Sequence, residues 1–238
     1  MAASRVPTRW ISVADDEALA AAACERILRA AGKAIEARGQ FLLVLTGGNT
    51  PKQVYVRMAK AQADWSRWHF YFGDERCLPV ADAERNSRMV CEVWLDRVPV
   101  PREQIHPVPA EAGALAAASR YAERLRELGD FDLVLMGLGE DGHTASLFPG
   151  HDWGESATAP DVLAVFDSPK PPPERVSLSA ARLGRTREML FLVAGEGKQR
   201  AVAEWRRGAL LPAAAVSPPA GVDVLVTPPL PNVSRRAS

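Results

Sequence analysis

The sequence predicts an α/β fold, a layered sandwich in which a largely parallel central sheet is flanked by helices. Two observations carry that expectation. Short runs rich in leucine, β-branched and aromatic residues alternate with longer stretches of helical periodicity for most of the chain. Several of the short runs, Phe41-Leu42-Leu43-Val44-Leu45 above all, are apolar at every position, as strands covered on both faces are.

Taken in order, strands are predicted at 10–13, 41–45, 68–72, 131–136, 162–166, 175–178, 189–193 and 222–226. The first helix, 15–38, opens with Asp15 and Asp16 as cap candidates. It sets Leu19, Ala23, Ile27, Ala30 and Ala34 on one stripe. A second helix, 51–63, has Thr50 as its cap and Pro51 at its first position. Further helices are predicted at 86–95, 110–128 and 198–207. Most of the 19 prolines cluster around 99–109, 169–173, 212–219 and 228–231, where they mark loops and the tail. The 169–173 loop is a candidate lid. Without an internal repeat or a linker between complete units, residues 1–238 are expected to form one domain, with a mobile tail from about residue 228.

Composition bounds the function. The chain carries 29 basic and 29 acidic side chains and 47% hydrophobic residues, so no overall field favours nucleic acid or anionic lipid. Cys24, Cys77 and Cys91 are odd in number and widely spaced, which suits reduced thiols in a cytoplasmic protein. No apolar run reaches the roughly 18 residues of a membrane span. His69, His106 and His151 are scattered, with no metal-ligand spacing, so no metal is expected.

Four segments carry candidate chemistry. Thr46-Gly47-Gly48-Asn49-Thr50-Pro51 follows a strand and opens a helix, where two glycines and free amides favour an anion such as phosphate. Gly73-Asp74-Glu75-Arg76 reads as a loop at the same sheet edge, placing Asp74 and Arg76 toward a shared ligand. In Gly137-Leu138-Gly139-Glu140-Asp141-Gly142-His143, the glycines match G-x-G-x-x-G. Pro149 and Gly150 leave no room for the long helix of a dinucleotide site, however, and Glu140 and Asp141 would repel a pyrophosphate. The loop instead exposes His143 as a general base, with Asp141 to fix its tautomer. Ser146 lacks a nucleophile elbow and reads as a helix-turn residue. Arg175 and Lys198, each at an element end, complete a phosphate clamp with the glycine turn and Arg76.

In this order, Thr46 to Pro51, Asp74-Glu75-Arg76 with Pro79 and Asn86, Gly137 to Pro149, Arg175 and 195–198 resemble the 6-phosphogluconolactonases. The resemblance covers most of 10–226. It implies a Rossmann-like sandwich of the NagB/RpiA/CoA transferase type, shared with glucosamine-6-phosphate deaminases and ribose-5-phosphate isomerases. It also implies cofactor-free hydrolysis of 6-phosphoglucono-1,5-lactone in the pentose phosphate pathway. By position, His143 would activate water beside Asp141, with Asp74 in support. Gly47, Gly48, Asn49, Thr50, Asn86, Arg175 and Lys198 would bind substrate, and Arg76 would serve either the phosphate or the oxyanion. The expected partner is the small sugar-phosphate lactone, and the chain is expected to be a monomer or weak homo-oligomer.

Other readings stand beside this one. Deaminases of the superfamily carry a glutamate shortly after their Asp-Gly-His segment, whereas Thr144 to Pro149 supply no carboxylate here. A non-catalytic sugar-phosphate sensor would keep the phosphate ligands and could dispense with His143. The last strand also departs from the family: Val222 to Pro229 replace the usual ending, a strand bearing a tryptophan and then an aspartate with a nearby alanine, and the polar terminus does not match.

Overall fold

The computed structural model describes residues 7–228. In chain order the strands are β1 (Thr8–Ser12), β2 (Phe41–Leu45), β3 (Trp68–Phe72), β4 (Asp74–Arg76), β5 (Ile105–His106), β6 (Phe131–Gly137), β7 (Val162–Val165), β8 (Arg175–Leu178), β9 (Thr186–Ala194) and β10 (Val222–Thr227). The helices are α1 (Asp16–Arg38), α2 (Asn49–Met58), α3 (Asn86–Val93), α4 (Ala114–Leu125), α5 (Ala180–Gly184), α6 (Gln199–Arg206) and α7 (Pro212–Ala215), joined by short 3-10 turns.

Seven strands form the central sheet in the order β1-β10-β9-β6-β2-β3-β5, and every pair in it is parallel. All five residues of β2 are buried, so helices cover both faces, as its unbroken apolar run predicts. Helix α1 lies across β10, β9, β6 and β2 and buries the stripe Leu19, Ala23, Ile27, Ala30 and Ala34. Asp15 caps it by accepting from the Ala18 amide at 2.8 Å, and Gly39 ends it in the left-handed conformation at φ 75°. On α6, Trp205 packs edge-on against Trp10 and Phe191, tying β1 to β9.

The chain visits the sheet in two directions. From β2 it moves outward to β3 and β5; from β6 it moves the other way to β9 and β10. Strand order therefore reverses between β2 and β6, and the carboxyl ends of those strands flank the crevice where α/β sheets bind ligands.

Several sequence expectations need correction. Residues 74–76 are not a loop: they form β4, the edge of a separate three-stranded antiparallel sheet, β4-β8-β7. Asp74 and Glu75 are buried because each is fully engaged, as described below. The second helix starts at Asn49 with Gly48 at its cap, not Thr50, because Gly48 takes φ 106° and turns the chain into the helix directly. It ends at Met58, short of residue 63. The 110–128 stretch breaks at Gly113, φ 83°, into a 3-10 turn and α4. The tail expected to move from residue 228 lies almost wholly outside the described residues.

Candidate active site

Parallel strands deliver the site's residues to one sheet edge. Thr46, Gly47 and Gly48 follow β2, Asp74 and Arg76 follow β3, Gly137 ends β6 with Leu138, Gly139, His143, Thr144 and Ala145 after it, and Lys198 follows β9. Together they line an open pocket of about 290 Å3. Asn86, Arg175 and two residues of the proline loop, Lys170 and Pro171, close the remaining wall.

His143 owes its position to two glycines. Gly142, at φ 85°, bends the chain back so that the Gly139 amide donates to the His143 carbonyl at 2.7 Å. Gly139 leaves the space the imidazole fills: a methyl group there would come within 2.0 Å of Nδ1. The ring leans on Phe148 at a centroid distance of 4.9 Å. Its Nδ1 lies 2.5 Å from Asp141 Oδ1, so Nδ1 carries the proton and Nε2 holds the free lone pair. Asp141 is outside the pocket wall, behind the ring. Burial pushes the His143 pKa below its usual value and outweighs the opposing pull of Asp141; the charge of Lys170 lowers it further. The imidazole is thus neutral near pH 7. Asp141 is held below the usual carboxylate range: burial pushes it up, but the hydrogen bond and charge of His143 prevail.

Asp74 is 5% exposed, and both its oxygens are engaged. Oδ1 accepts from Asn86 Nδ2 at 3.1 Å, and Oδ2 accepts from Ser146 Oγ at 2.7 Å. Gly47 makes the Asn86 contact possible, since a methyl group there would meet Asn86 Oδ1 at 1.8 Å. Beneath this pair, fully buried Glu75 accepts from the amides of Arg76, Asn86 and Ser87 at 2.7–2.9 Å, capping α3. Arg85, 2% exposed, stands 3.6 Å from Glu75 and also bonds Glu111, Leu78 and Val108.

Ser146 does not lie on a helix turn. The chain doubles back between Thr144 and Leu147, with Ala145 in the left-handed region at φ 48°. That geometry aims the Ser146 hydroxyl at Asp74 and leaves its own amide donating to Ser177 Oγ at 3.3 Å.

Four cations face one carboxylate across the pocket. In β4, Arg76 sits opposite Arg175 of β8. Arg76 Nη1 donates to the Glu84 carbonyl at 2.5 Å, while its Nε is buried with no acceptor, an unmet donor beside the pocket. The guanidinium of Arg175 does more than clamp an anion: Nε and Nη2 donate to the Pro172, Lys170 and Pro171 carbonyls at 2.9–3.2 Å, bracing the proline loop. Among the described residues no acceptor takes Nη1, which is left for a ligand. Burial lowers the pKa of Lys198, aided by Lys170, against the pull of Glu140.

The structure therefore gathers Gly47, Gly48, Asp74, Arg76, Asn86, His143, Arg175 and Lys198 around one pocket. Asn49 is exposed on the first turn of α2, and neither it nor Thr50 forms part of the wall. Lys170 escaped the sequence reading; its signal was a lone cation inside a run of prolines. Ser146, which reads from the sequence as a helix-turn residue, pairs instead with Asp74 across 72 positions.

The whole fold recurs among known proteins. The family model described as glucosamine-6-phosphate isomerases/6-phosphogluconolactonase matches residues 14–225. A 6-phosphogluconolactonase of Mycobacterium tuberculosis is 41% identical over 203 residues, covering 79% of this chain and 82% of that protein. One of Streptomyces coelicolor is 38% identical over 213 residues, covering 82% and 81%. The crystal structure of 6-phosphogluconolactonase from Thermotoga maritima superposes with a TM-score of 0.85 at 28% identity, covering 92% of this chain and 99% of that one. A monomeric glucosamine-6-phosphate deaminase, at 21% identity and a TM-score of 0.76, shares the fold. The chain belongs to the glucosamine-6-phosphate isomerase/6-phosphogluconolactonase family.

Proposed function

We propose that the chain hydrolyses 6-phosphoglucono-1,5-lactone to 6-phosphogluconate, with His143 as general base. The observation that carries this reading is the orientation of the imidazole: Nδ1 is tied to Asp141 at 2.5 Å, leaving a basic Nε2 in a pocket with Arg76, Lys170, Arg175 and Lys198. Nε2 takes a proton from water as the water oxygen attacks the lactone carbonyl. Asp141 stabilises the imidazolium so formed. The tetrahedral oxyanion collapses by breaking the ring ester bond, and the imidazolium returns its proton to the departing ring oxygen. A cation placed at the oxyanion contributes about 3 kcal/mol to the rate. The other cations hold the phosphate, with the amino end of α2 behind Gly47 and Gly48.

The ring-opening chemistry of the deaminase branch finds no support, since no carboxylate lies between Thr144 and Pro149. Among the described residues no helix is long and apolar enough to cross a membrane, which agrees with cytoplasmic chemistry on a soluble sugar phosphate. Apolar core residues of both sheets join in one cluster, in keeping with a single domain. The reading is tested by acid release from freshly generated lactone at constant pH. Wild-type protein should exceed the spontaneous rate, and His143→Ala should lose roughly a hundredfold or more. A wild-type chain that leaves the spontaneous rate unchanged, or a fully active His143→Ala chain, overturns it.

A further inference from the structure

At the opposite edge of the central sheet, where β1, β10 and β9 begin, a cleft of about 490 Å3 is lined by five cations and two carboxylates. Arg9 of β1 pairs in register with Asp223 of β10. Arg26, Arg29 and Lys33 fall three and four residues apart on α1 and so share one stripe above the cleft. Arg187, at the start of β9, closes the far side.

The carboxylates are already occupied. Asp223, its side chain 3% exposed, takes Arg9 Nε at 2.5 Å and Arg26 Nη2 at 2.6 Å, and Glu188 takes Arg26 Nη2 at 3.0 Å. Among the described residues no carboxylate lies within ion-pair distance of Arg29 or Lys33. Arg26 Nε is buried with no acceptor. Five cations against two carboxylates leave a surplus of three in a chain whose formal charge is zero. The adjoining Arg38–Asp132 pair, which Arg187 approaches at 3.5 Å, leaves that surplus unchanged. Between the cations lie apolar Ile11, Met189 and Ala220, with Ile11 36% exposed.

We propose that this cleft binds a polyphosphate, a compact ligand of three or more negative charges bridging Arg29, Lys33 and Arg187. Guanidinium groups chelate phosphate oxygens in pairs, and a surplus of three suits a chain of phosphates better than a single one. The cleft is within the usual size range of small-molecule sites, roughly 300–1,000 Å3. It is separate from the catalytic pocket, which opens at the other ends of the strands, and it does not depend on the lactonase reading.

Calorimetric titration with ATP, with inorganic tripolyphosphate and with inorganic phosphate tests the site at roughly 0.1 M salt, where charges beyond about 10 Å are screened. Wild type, Arg29→Ala/Lys33→Ala and Lys198→Ala chains are compared. ATP, tripolyphosphate or both should saturate one site per chain and bind more tightly than phosphate. Tighter ATP identifies a nucleoside polyphosphate lying on Ile11, and tighter tripolyphosphate identifies the inorganic chain. The double variant should weaken binding roughly tenfold or more, with melting temperature and lactone turnover unchanged, while Lys198→Ala should bind as wild type does. No saturable binding, equal affinity in the double variant, or loss of binding in Lys198→Ala overturns the proposal.

Discussion

Replacing Gly139 by alanine should remove most of the activity without touching a reacting group. The backbone there does not require glycine: its φ lies outside the left-handed region. The sharpest conflict is with the imidazole, because the new methyl group would lie 2.0, 2.2 and 2.6 Å from Nδ1, Cε1 and Cγ of His143. A ring cannot yield at its end as a flexible chain does, so it must swing off Asp141 and take Nε2 out of position. The loss should match that of a general base, roughly a hundredfold or more in kcat, or about 2.7 kcal/mol at a hundredfold. KM should change little, since the cations stay in place. The assay is a cycle of wild type, Gly139→Ala, His143→Ala and the double variant, by acid release corrected for spontaneous hydrolysis. If the alanine acts only through the ring, it adds nothing once the ring is gone. A further loss in the His143→Ala background, or full activity of Gly139→Ala alone, would refute the reasoning.

Four other outcomes follow from the same geometry. Because the His143 pKa is lowered, the acid limb of kcat/KM should have its midpoint below 6.5, with activity rising to a plateau above it. Lys170→Ala removes a lowering charge and moves the limb up in pH; Asp141→Asn removes a raising one and moves it down. Both shifts are read from pH–rate profiles. Ser146→Ala deprives buried Asp74 of a donor worth roughly 1.5–3 kcal/mol, and kinetics should show slower turnover with the fold intact by circular dichroism. Lys198→Ala should mainly raise KM, and a lactone lacking the phosphate should give the variant and wild type similar rates. Glu75→Ala strips the amides of Arg76, Asn86 and Ser87 of their shared acceptor while Arg85 keeps Glu111, so urea unfolding should show a loss of roughly 1–3 kcal/mol.

The parallel core was legible because its signal is local. A run such as Phe41 to Leu45 announces a strand buried on both faces, and the stripe from Leu19 to Ala34 announces the helix covering it. The pairing of His143 with Asp141 was also legible, since Gly142 alone lies between them. What the sequence concealed depends on distant pairing. Residues 74–76 look like a loop until β8, a hundred positions on, supplies a partner and α3 supplies two amides to Glu75. Ser146 has no local sign that its hydroxyl serves Asp74. Arg175 read as a free cation, although three carbonyls of the proline loop claim two of its nitrogens. Lys170 lines the pocket from that braced loop.

The most direct test of the central claim is the structure of the protein with 6-phosphogluconate bound. The C1 carboxylate should lie within hydrogen-bond reach of His143 Nε2, with the phosphate against Lys198 and the Gly47-Gly48 turn. A ligand with its phosphate on His143, or with C1 out of reach of the imidazole, would contradict it.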